Sequence, residues 1–293
     1  MSIDTNAEKT YLEIPPLRIH YKICTPKSDV DTGRTIVLFH PFLSHLETFL
    51  LVQQTLADQL NATVISYDRL AFGWTRRDVP KDEASKWYSA EATIQTAVSV
   101  IETLKRHPKV TLIGNSAGGT IALGLYRARP ELVESICLFA PALIQEGPLA
   151  LVRWLCTSVP GFTHITRSLY SKLSVPKYMY TGEVDERIAG AYLEASRQDG
   201  FVDSLFYFTK YNQPLRVWES AKSGVYRDVK VMIVNGDKDR IVPWKDSEKV
   251  VRTINGMGGK AYFKKLEGVG HLIQEERPDE VISVVSDFLK DHV

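Results

Sequence analysis

The chain has little cysteine: three thiols stand far apart among 293 residues, at Cys24, Cys137 and Cys156. An odd, widely spaced set argues against a disulfide framework, and no His, Cys and Asp cluster has the spacing of metal ligands. We therefore predict reduced thiols, no bound metal and a cytoplasmic location. Cys137 lies in an apolar run and is predicted to be a small core residue.

Charge of either sign is not in excess, because 36 basic residues face 35 acidic ones and the formal net charge is +1. This balance gives no basis for binding nucleic acid or an acidic surface. The chain has no Gly-rich phosphate loop and no apolar run long enough to span a bilayer, and its polar start, MSIDTNAEKTYLEIPP, lacks the hydrophobic stretch of a secretory signal. The expected partner is a small-molecule substrate, without a cofactor or a membrane span. The oligomeric state stays open.

Short apolar runs alternate regularly with helical patterns along most of the chain. Strands are predicted at 17–24, 35–39, 62–67, 110–113, 135–140, 230–235 and 261–266, and helices at 48–60, 91–105, 120–129, 247–254 and 278–290. This alternation predicts an α/β protein with a mostly parallel, doubly wound sheet covered by helices on both faces. Because ligands of such sheets bind beyond the carboxyl ends of the strands, residues that follow strand ends are functional candidates.

The alternation stops between residues 145 and 223, where no buried-type strand is found. The same segment holds 12 of the 29 aromatic residues of the chain. We predict a helical cap over 145–223, inserted into a core formed by 1–144 and 224–293. Trp154, Phe206 and Tyr207 are its candidate pocket residues, and they favour a bulky or aromatic substrate. Packing of these rings onto the core is the alternative.

One serine stands between two glycines at the end of a predicted strand. Residues 110–121 read VTLIGNSAGGTI, so that Gly114 and Gly118 flank Ser116 at a distance of two residues. A strand, a sharp turn and a helix in this order form the context of a catalytic serine held at a strained backbone angle. Crowding at that angle requires neighbours without side chains. The pattern indicates a nucleophile, with a plain turn serine as the alternative.

A nucleophilic serine needs a base and an orienting acid, and both types of residue follow later strands. Asp237 and Asp239 come after the predicted strand 230–235, and His271 lies on a glycine-flanked loop between the last strand and the last helix. His271 would accept the proton of Ser116, and the aspartate would fix the imidazole tautomer. The order serine, aspartate, histidine is the one that the α/β-hydrolase fold uses.

The stretches 114–119, 236–243 and 270–278 resemble the motifs of the α/β-hydrolase superfamily. They are most similar to its capped branch of small-molecule serine hydrolases, which includes esterases and meta-cleavage-product C–C hydrolases. The resemblance implies the α/β-hydrolase fold and points to Asp239, rather than Asp237, as the acid. It also implies that an oxyanion hole is formed by the backbone N–H groups of Phe42 and Ala117.

Two loops depart from the family pattern. Pro41 stands where the family has glycine, which stiffens the loop but leaves the N–H of Phe42 free to serve. His40 is expected to order this loop, and His45 is expected either to line the pocket or to lie at the surface. His40 and Asn115 are also candidate pocket residues. The stretch 68–73, Asp-Arg-Leu-Ala-Phe-Gly, resembles a family turn and is expected to be structural.

The expected reaction is hydrolysis of an ester, thioester or lactone through an acyl-enzyme on Ser116. Serine at the nucleophile position disfavours the resembling epoxide hydrolases and haloalkane dehalogenases, which use aspartate. Hydrolysis of a C–C bond in a vinylogous diketone acid is the alternative: Asn115 favours it, whereas Leu272 stands where that group tends to have tryptophan. The carboxylate-binding arginine of that group's cap stays unassigned among Arg153, Arg167, Arg187, Arg197 and Arg216. A ligand receptor or scaffold of the same fold is the third hypothesis.

Overall fold

The computed structural model describes residues 9–28, 33–144 and 179–290. An eight-stranded sheet in the order β1-β2-β4-β3-β5-β6-β7-β8 runs through the molecule. The pairs β1–β2 and β2–β4 are antiparallel, and the remaining pairs are parallel. The strands are β1 (Tyr11–Ile14), β2 (Leu17–Cys24), β3 (Thr35–Phe39), β4 (Thr63–Tyr67), β5 (Val110–Asn115), β6 (Val133–Phe139), β7 (Lys230–Gly236) and β8 (Lys260–Leu266).

Ten α-helices are found in the described ranges. They are α1 (Gln53–Leu60), α2 (Ala84–Trp87), α3 (Ala90–Leu104), α4 (Ala117–Ala128), α5 (Glu186–Ser196), α6 (Phe201–Tyr211), α7 (Val217–Lys222), α8 (Trp244–Gly256), α9 (Ile273–Glu276) and α10 (Pro278–Lys290). Short 3₁₀ turns cover Leu46–Phe49, Lys81–Glu83 and Pro130–Leu132. None of these helices is long and apolar enough to cross a membrane.

The central strands are buried on both faces, as expected for parallel strands between two helical layers. Alternate residues of β3 divide between two apolar clusters: Val37 joins the cluster with α3, α4 and α8, and Ile36 joins the cluster with α1 and α10. This arrangement confirms the predicted doubly wound sheet. It also brings the carboxyl ends of β3, β4, β5, β7 and β8 to the same edge.

The predicted elements differ from the observed ones mainly at their ends. The helix predicted at 48–60 is broken into the 3₁₀ turn Leu46–Phe49 and α1, and the one predicted at 120–129 begins earlier, at Ala117. The edge strand β1 was not predicted, because its four residues, Tyr-Leu-Glu-Ile, lie next to a polar start and are not buried.

Within the described residues, three helices, α5, α6 and α7, lie between β6 and β7, in the segment predicted as a cap. Leu205, Phe208 and Val217 belong to the same apolar cluster as the sheet residues Val37 and Leu112, so α6 and α7 pack on the core. Residues 145–178, which include Trp154, Arg153 and Arg167, lie outside the described residues.

Candidate active site

Ser116 occupies the sharp turn between β5 and α4. Its backbone has φ of 54° and ψ of −116°, a left-handed conformation that side-chain-bearing residues rarely adopt. The turn is held by the neighbouring strand, since the N–H of Ser116 donates to the carbonyl of Phe139 at 2.8 Å. Strain of this kind is retained only where the surrounding structure enforces it.

The two glycines around Ser116 are required by close backbone approach. A Cβ on Gly114 would lie 2.4 Å from the carbonyl oxygen of Gly118, and a Cβ on Gly118 would lie 2.0 Å from that of Phe39. Real Cβ atoms do not come this close to backbone, so no side chain fits at either position. This confirms the expectation that crowding excludes side chains two residues away from Ser116.

His271 and Asp239 form a buried pair at the same edge of the sheet. The Nδ1 of His271 lies 2.8 Å from Oδ2 of Asp239, and both side chains are excluded from solvent. The other carboxylate oxygen of Asp239 accepts from the N–H groups of Ile241 at 2.7 Å and Val242 at 2.9 Å. Asp237 instead accepts from the N–H of Gly268 at 2.6 Å. The aspartate that contacts His271 is therefore the one expected from the family pattern.

Asn115 connects the serine turn to the histidine loop. It is fully buried, and its amide Nδ2 donates to the carbonyls of Phe139 at 2.8 Å and of His271 at 3.3 Å. The N–H of His271 donates to the carbonyl of Met179 at 2.9 Å. The residue before Ser116 thus holds the backbone of His271, and a chain segment that precedes α5 holds it from the other side.

The loop after β3 and the start of α4 border a cavity of about 500 Å³. Phe42 and Ala117, the two expected oxyanion donors, both line it, together with Arg69 and Phe208. A Cβ on Gly118 would also lie 2.9 Å from the carbonyl oxygen of His40. The two loops that would supply the oxyanion hole therefore pack directly against each other.

His40 orders this loop and does not reach the cavity. It is fully buried, with Nδ1 donating to the carbonyl of Pro41 at 2.8 Å and Nε2 accepting from the N–H of Arg69 at 3.2 Å. Burial, reinforced by the charge of Arg69, lowers the pKa of His40 well below its usual range. The ring is therefore neutral, as both of its hydrogen bonds require.

The other candidate pocket residues have different surroundings. His45 is buried with its ring packed edge-on against Trp74 and Tyr192, so the alternative of a surface position is wrong. Phe206 and Tyr207 contact each other, and Tyr207 also contacts Tyr88 and Tyr211.

The aromatic residue of α6 that lines the cavity is Phe208, which was not predicted from the sequence. Its ring lies 5.8 Å from that of Phe42 and 5.0 Å from that of Phe72. Helical periodicity places Phe201, Leu205, Phe208 and Asn212 on one face, and this spacing could have identified Phe208.

A buried carboxyl group, also not predicted, lies close behind the histidine loop. Glu275 in α9 accepts hydrogen bonds from the hydroxyls of Thr48 and Tyr180 and, at 3.2 Å, of Tyr192. Burial raises the pKa of Glu275 to about 7, against the lowering effect of the three hydroxyl donors.

Neighbouring side chains connect this carboxyl group to Asn115. The amide of Gln274 donates to Thr48 at 2.8 Å and to Asn115 Oδ1 at 3.4 Å. Glu276, next along α9, accepts from the N–H of Thr181 at 3.1 Å and from that of Gly270, also at 3.1 Å. The histidine loop is therefore hydrogen-bonded to residues 179–192 at several points.

The 68–73 turn behaves as a structural loop. Asp68 is fully buried and accepts from the N–H groups of Leu46 at 2.7 Å and Trp74 at 2.8 Å and from His20 Nδ1 at 2.7 Å. Burial alone would raise the pKa of Asp68, but the hydrogen bond and charge of His20 lower it to about 2. A Cβ on Gly73 would lie 2.0 Å from this carboxylate, which explains the glycine.

Metal ligands do not gather anywhere in the described part of the chain, where no three His, Cys, Asp or Glu side chains form a group that could hold an ion. The chemistry available at the site is that of the strained serine, the buried histidine–aspartate pair and the backbone N–H groups around the cavity.

Comparisons with known proteins agree with this fold. A sequence model of the alpha/beta hydrolase family matches residues 36–284. The 2-hydroxymuconate semialdehyde hydrolase of Pseudomonas sp. strain CF600 is 26% identical over 296 residues, which covers 97% of this chain and 96% of the relative. The uncharacterized hydrolase YugF of Bacillus subtilis strain 168 is 24% identical over 268 residues, covering 89% of this chain and 92% of the relative.

A similar solved structure is the enol-lactonase from Burkholderia xenovorans LB400. It superimposes with a TM-score of 0.69 and 18% sequence identity, over 96% of this chain and 100% of the lactonase chain. Likeness at this level of identity shows the fold, and it confirms the predicted α/β-hydrolase architecture.

Proposed function

The chain belongs to the alpha/beta hydrolase family, and on that premise we propose that it is a serine hydrolase. In this proposal Ser116 cleaves a small ester or lactone through an acyl-enzyme. Its main support is the strained turn of Ser116, whose neighbour Asn115 is hydrogen-bonded to the backbone of His271 in the His271–Asp239 pair.

In the proposed reaction, His271 removes the proton of the Ser116 hydroxyl as its oxygen attacks the carbonyl carbon of the substrate. Asp239 accepts the Nδ1–H of His271, which leaves Nε2 to act as the base. The negative charge on the tetrahedral oxygen is stabilised by the N–H groups of Phe42 and Ala117. His271 then gives the proton to the departing alcohol oxygen, and water releases the acid by the same steps in reverse. No cofactor is needed.

We further propose that residues 145–223 act as a cap and that the substrate is bulky or aromatic. Support for the cap comes from α5, α6 and α7, which lie between β6 and β7 as an insertion would. Support for an apolar substrate comes from the rings of Phe42 and Phe208, which both line the cavity beside Ala117. Trp154, Phe206 and Tyr207 stay predictions as pocket residues.

Hydrolysis of a C–C bond in a vinylogous diketone acid is the second candidate. It is favoured by the 26% identity to 2-hydroxymuconate semialdehyde hydrolase along almost the whole chain. Leu272, which is fully buried, still stands where that group tends to have tryptophan. Both candidates use the same nucleophile, so one experiment can test them together.

The test is hydrolysis of p-nitrophenyl esters of rising acyl length, with wild type beside Ser116→Ala. We expect wild type to turn over and kcat/KM of Ser116→Ala to fall by about three to six orders of magnitude. Ser135→Ala, which alters a buried serine of the neighbouring strand β6, is the matched control and should retain activity.

Other outcomes select among the hypotheses. Ester turnover that survives in Ser116→Ala refutes the proposal. If wild type cleaves only a vinylogous diketone acid and Ser116→Ala does not, the C–C reaction replaces the ester reaction. Binding of such compounds without turnover by wild type would favour a receptor. Asp239→Asn should lower kcat by about 10⁴, whereas Asp237→Asn should not.

A further inference from the structure

The direction of one proposed oxyanion donor depends on a single peptide group. The carbonyl of Pro41 and the N–H of Phe42 belong to the same planar amide and point in opposite directions. Any group that holds the oxygen of Pro41 therefore also fixes where the N–H of Phe42 points. Donors of an oxyanion hole must be aimed before the reaction begins, so that no reorientation accompanies the developing charge.

The side chain of Arg69 holds this carbonyl. Its Nη2 donates to the oxygen of Pro41 at 2.9 Å and to that of His40 at 3.0 Å. The guanidinium lies over the ring of Phe72, with its central carbon 4.7 Å from the ring centroid. Arg69 is 3% exposed, so these contacts are made out of water. The carbonyl of Pro41 thus receives two donors, one from Arg69 and one from His40 Nδ1 at 2.8 Å.

No carboxylate of the described residues neutralises the positive charge of Arg69 by direct contact. Within the described residues it takes part in no ion pair, and its Nε has no hydrogen-bond partner. The adjacent Asp68 directs its own hydrogen bonds to Leu46, Trp74 and His20. Burial lowers the pKa of Arg69 to about 10, which leaves it charged at neutral pH.

Burial of a cation that is hydrogen-bonded mainly to carbonyls costs free energy, so a position that keeps such a cation is a candidate for a function of its field. Here the charge lies on the oxygen side of the Pro41–Phe42 amide, where it draws electron density toward the oxygen. The same polarisation makes the N–H on the opposite side a better donor.

We propose that Arg69 is a positioning residue of the oxyanion hole, which aims and polarises the N–H of Phe42 through the carbonyl of Pro41. This inference rests on the proposed serine-hydrolase function. In this role Arg69 acts through the loop carbonyls rather than on the reacting atoms, although its side chain also borders the cavity. Its effect is expected only when charge develops on the substrate oxygen, so it should act on kcat and leave KM nearly unchanged.

The test compares Arg69→Met, Arg69→Lys and Arg77→Met. Arg77 is the matched control because it follows the same turn and makes similar contacts. Its Nη2 donates to the backbone carbonyl of Gly73 at 2.7 Å, and its guanidinium lies near the ring of Phe201. Each variant is assayed for kcat and KM on the best neutral p-nitrophenyl ester. Each is also titrated with a trifluoromethyl ketone, whose serine adduct places an oxyanion in the hole.

We expect Arg69→Met to lower kcat by about 10- to 100-fold, somewhat less than removal of an oxyanion donor itself. KM should change less than about twofold, and affinity for the trifluoromethyl ketone should fall by the same factor as kcat. Arg69→Lys should recover part of both losses, because an ammonium can still reach a carbonyl. Arg77→Met should change neither. Added guanidinium ion should partly restore an Arg69→Ala variant.

The inference is overturned if Arg69→Met and Arg69→Lys keep wild-type affinity for the trifluoromethyl ketone. It is also overturned if Arg77→Met lowers kcat as much as Arg69→Met does, with an equal fall in the thermal midpoint of both variants. That result would mean that Arg69 has a purely structural role. Failure of the proposed function has a separate signature, which is wild-type ester turnover that does not depend on Ser116.

Discussion

The carboxyl group of Glu275 should make the stability of this protein depend on pH near neutrality. It is 9% exposed, and among the described residues its side-chain hydrogen-bond donors are hydroxyl groups. Burial, with a smaller contribution from the charge of Glu276, raises its pKa from 4.5 to about 7 against the effect of the hydroxyl donors. The folded protein therefore holds a proton on Glu275 at pH values where the unfolded chain has lost it.

The sign of the effect follows from this difference in bound protons. Between pH 4.5 and about 7 the folded state binds one proton more than the unfolded state, so the free energy of unfolding decreases as pH rises. One proton corresponds to about 1.4 kcal/mol per pH unit, and over this window the loss amounts to about 3 kcal/mol. This contribution is fully present below pH 4.5 and absent above about pH 8.

Glu275→Gln removes the titrating group while keeping its shape and an acceptor oxygen. We expect the free energy of unfolding of wild type, minus that of Glu275→Gln, to fall by about 3 kcal/mol between pH 5 and pH 8. Urea unfolding at four pH values in this range measures the difference. Glu280→Gln, at an exposed position in the next helix, is the control and should run parallel to wild type. Parallel curves for Glu275→Gln as well would refute the reasoning.

Three further predictions follow from contacts of the described residues. Gly118→Ala should lower kcat on esters by at least about 100-fold and destabilise the fold by about 1–3 kcal/mol, because its Cβ would meet the carbonyl of Phe39 at 2.0 Å. Gly190→Ala is the control and should do neither, because a Cβ at Gly190 has open space around it. Asp68→Asn should cost about 3 kcal/mol in urea unfolding at pH 7, since a buried hydrogen-bonded charge is lost. That difference should shrink as pH falls toward 2, where wild-type Asp68 takes up a proton; a constant difference would contradict the assignment. Burial raises the pKa of the Cys137 thiol, so iodoacetamide should modify it only in denaturant. Mass spectrometry of the Cys137 peptide measures this, and labelling of the native protein would contradict the core position of the residue.

The parts of the fold that could be predicted from the sequence are those that depend on local patterns. Strand β3 is apolar at almost every position because both of its faces are covered. The turn at Ser116 was recognisable because its glycines are required by backbone contacts that leave a fixed spacing in the sequence. The helix α10 was predicted with the observed ends, since Pro278 opens it.

Features that depend on distant partners could not be predicted in the same way. The hydroxyl donors to Glu275 come from Thr48, Tyr180 and Tyr192, far away in the chain, and a glutamate in a short helix ordinarily indicates a solvent-exposed face. The position of Arg69 could not be predicted for a similar reason, because its proposed role depends on two carbonyls of a loop that precedes it by 28 and 29 residues. In α6, Phe208 faces the cavity, and composition alone could not distinguish it from Phe206 and Tyr207.

The left-handed backbone of Ser116 also affects how inactive variants should be interpreted. A side-chain-bearing residue at φ of 54° carries about 1–3 kcal/mol of conformational strain, which glycine at the same position would not carry. Ser116→Gly should therefore have a higher thermal midpoint than wild type while losing the proposed nucleophile, and an unchanged or lower midpoint would contradict this. Stabilised variants selected from random libraries would then include catalytically dead ones, so a screen for thermostability in this protein needs a parallel screen for turnover.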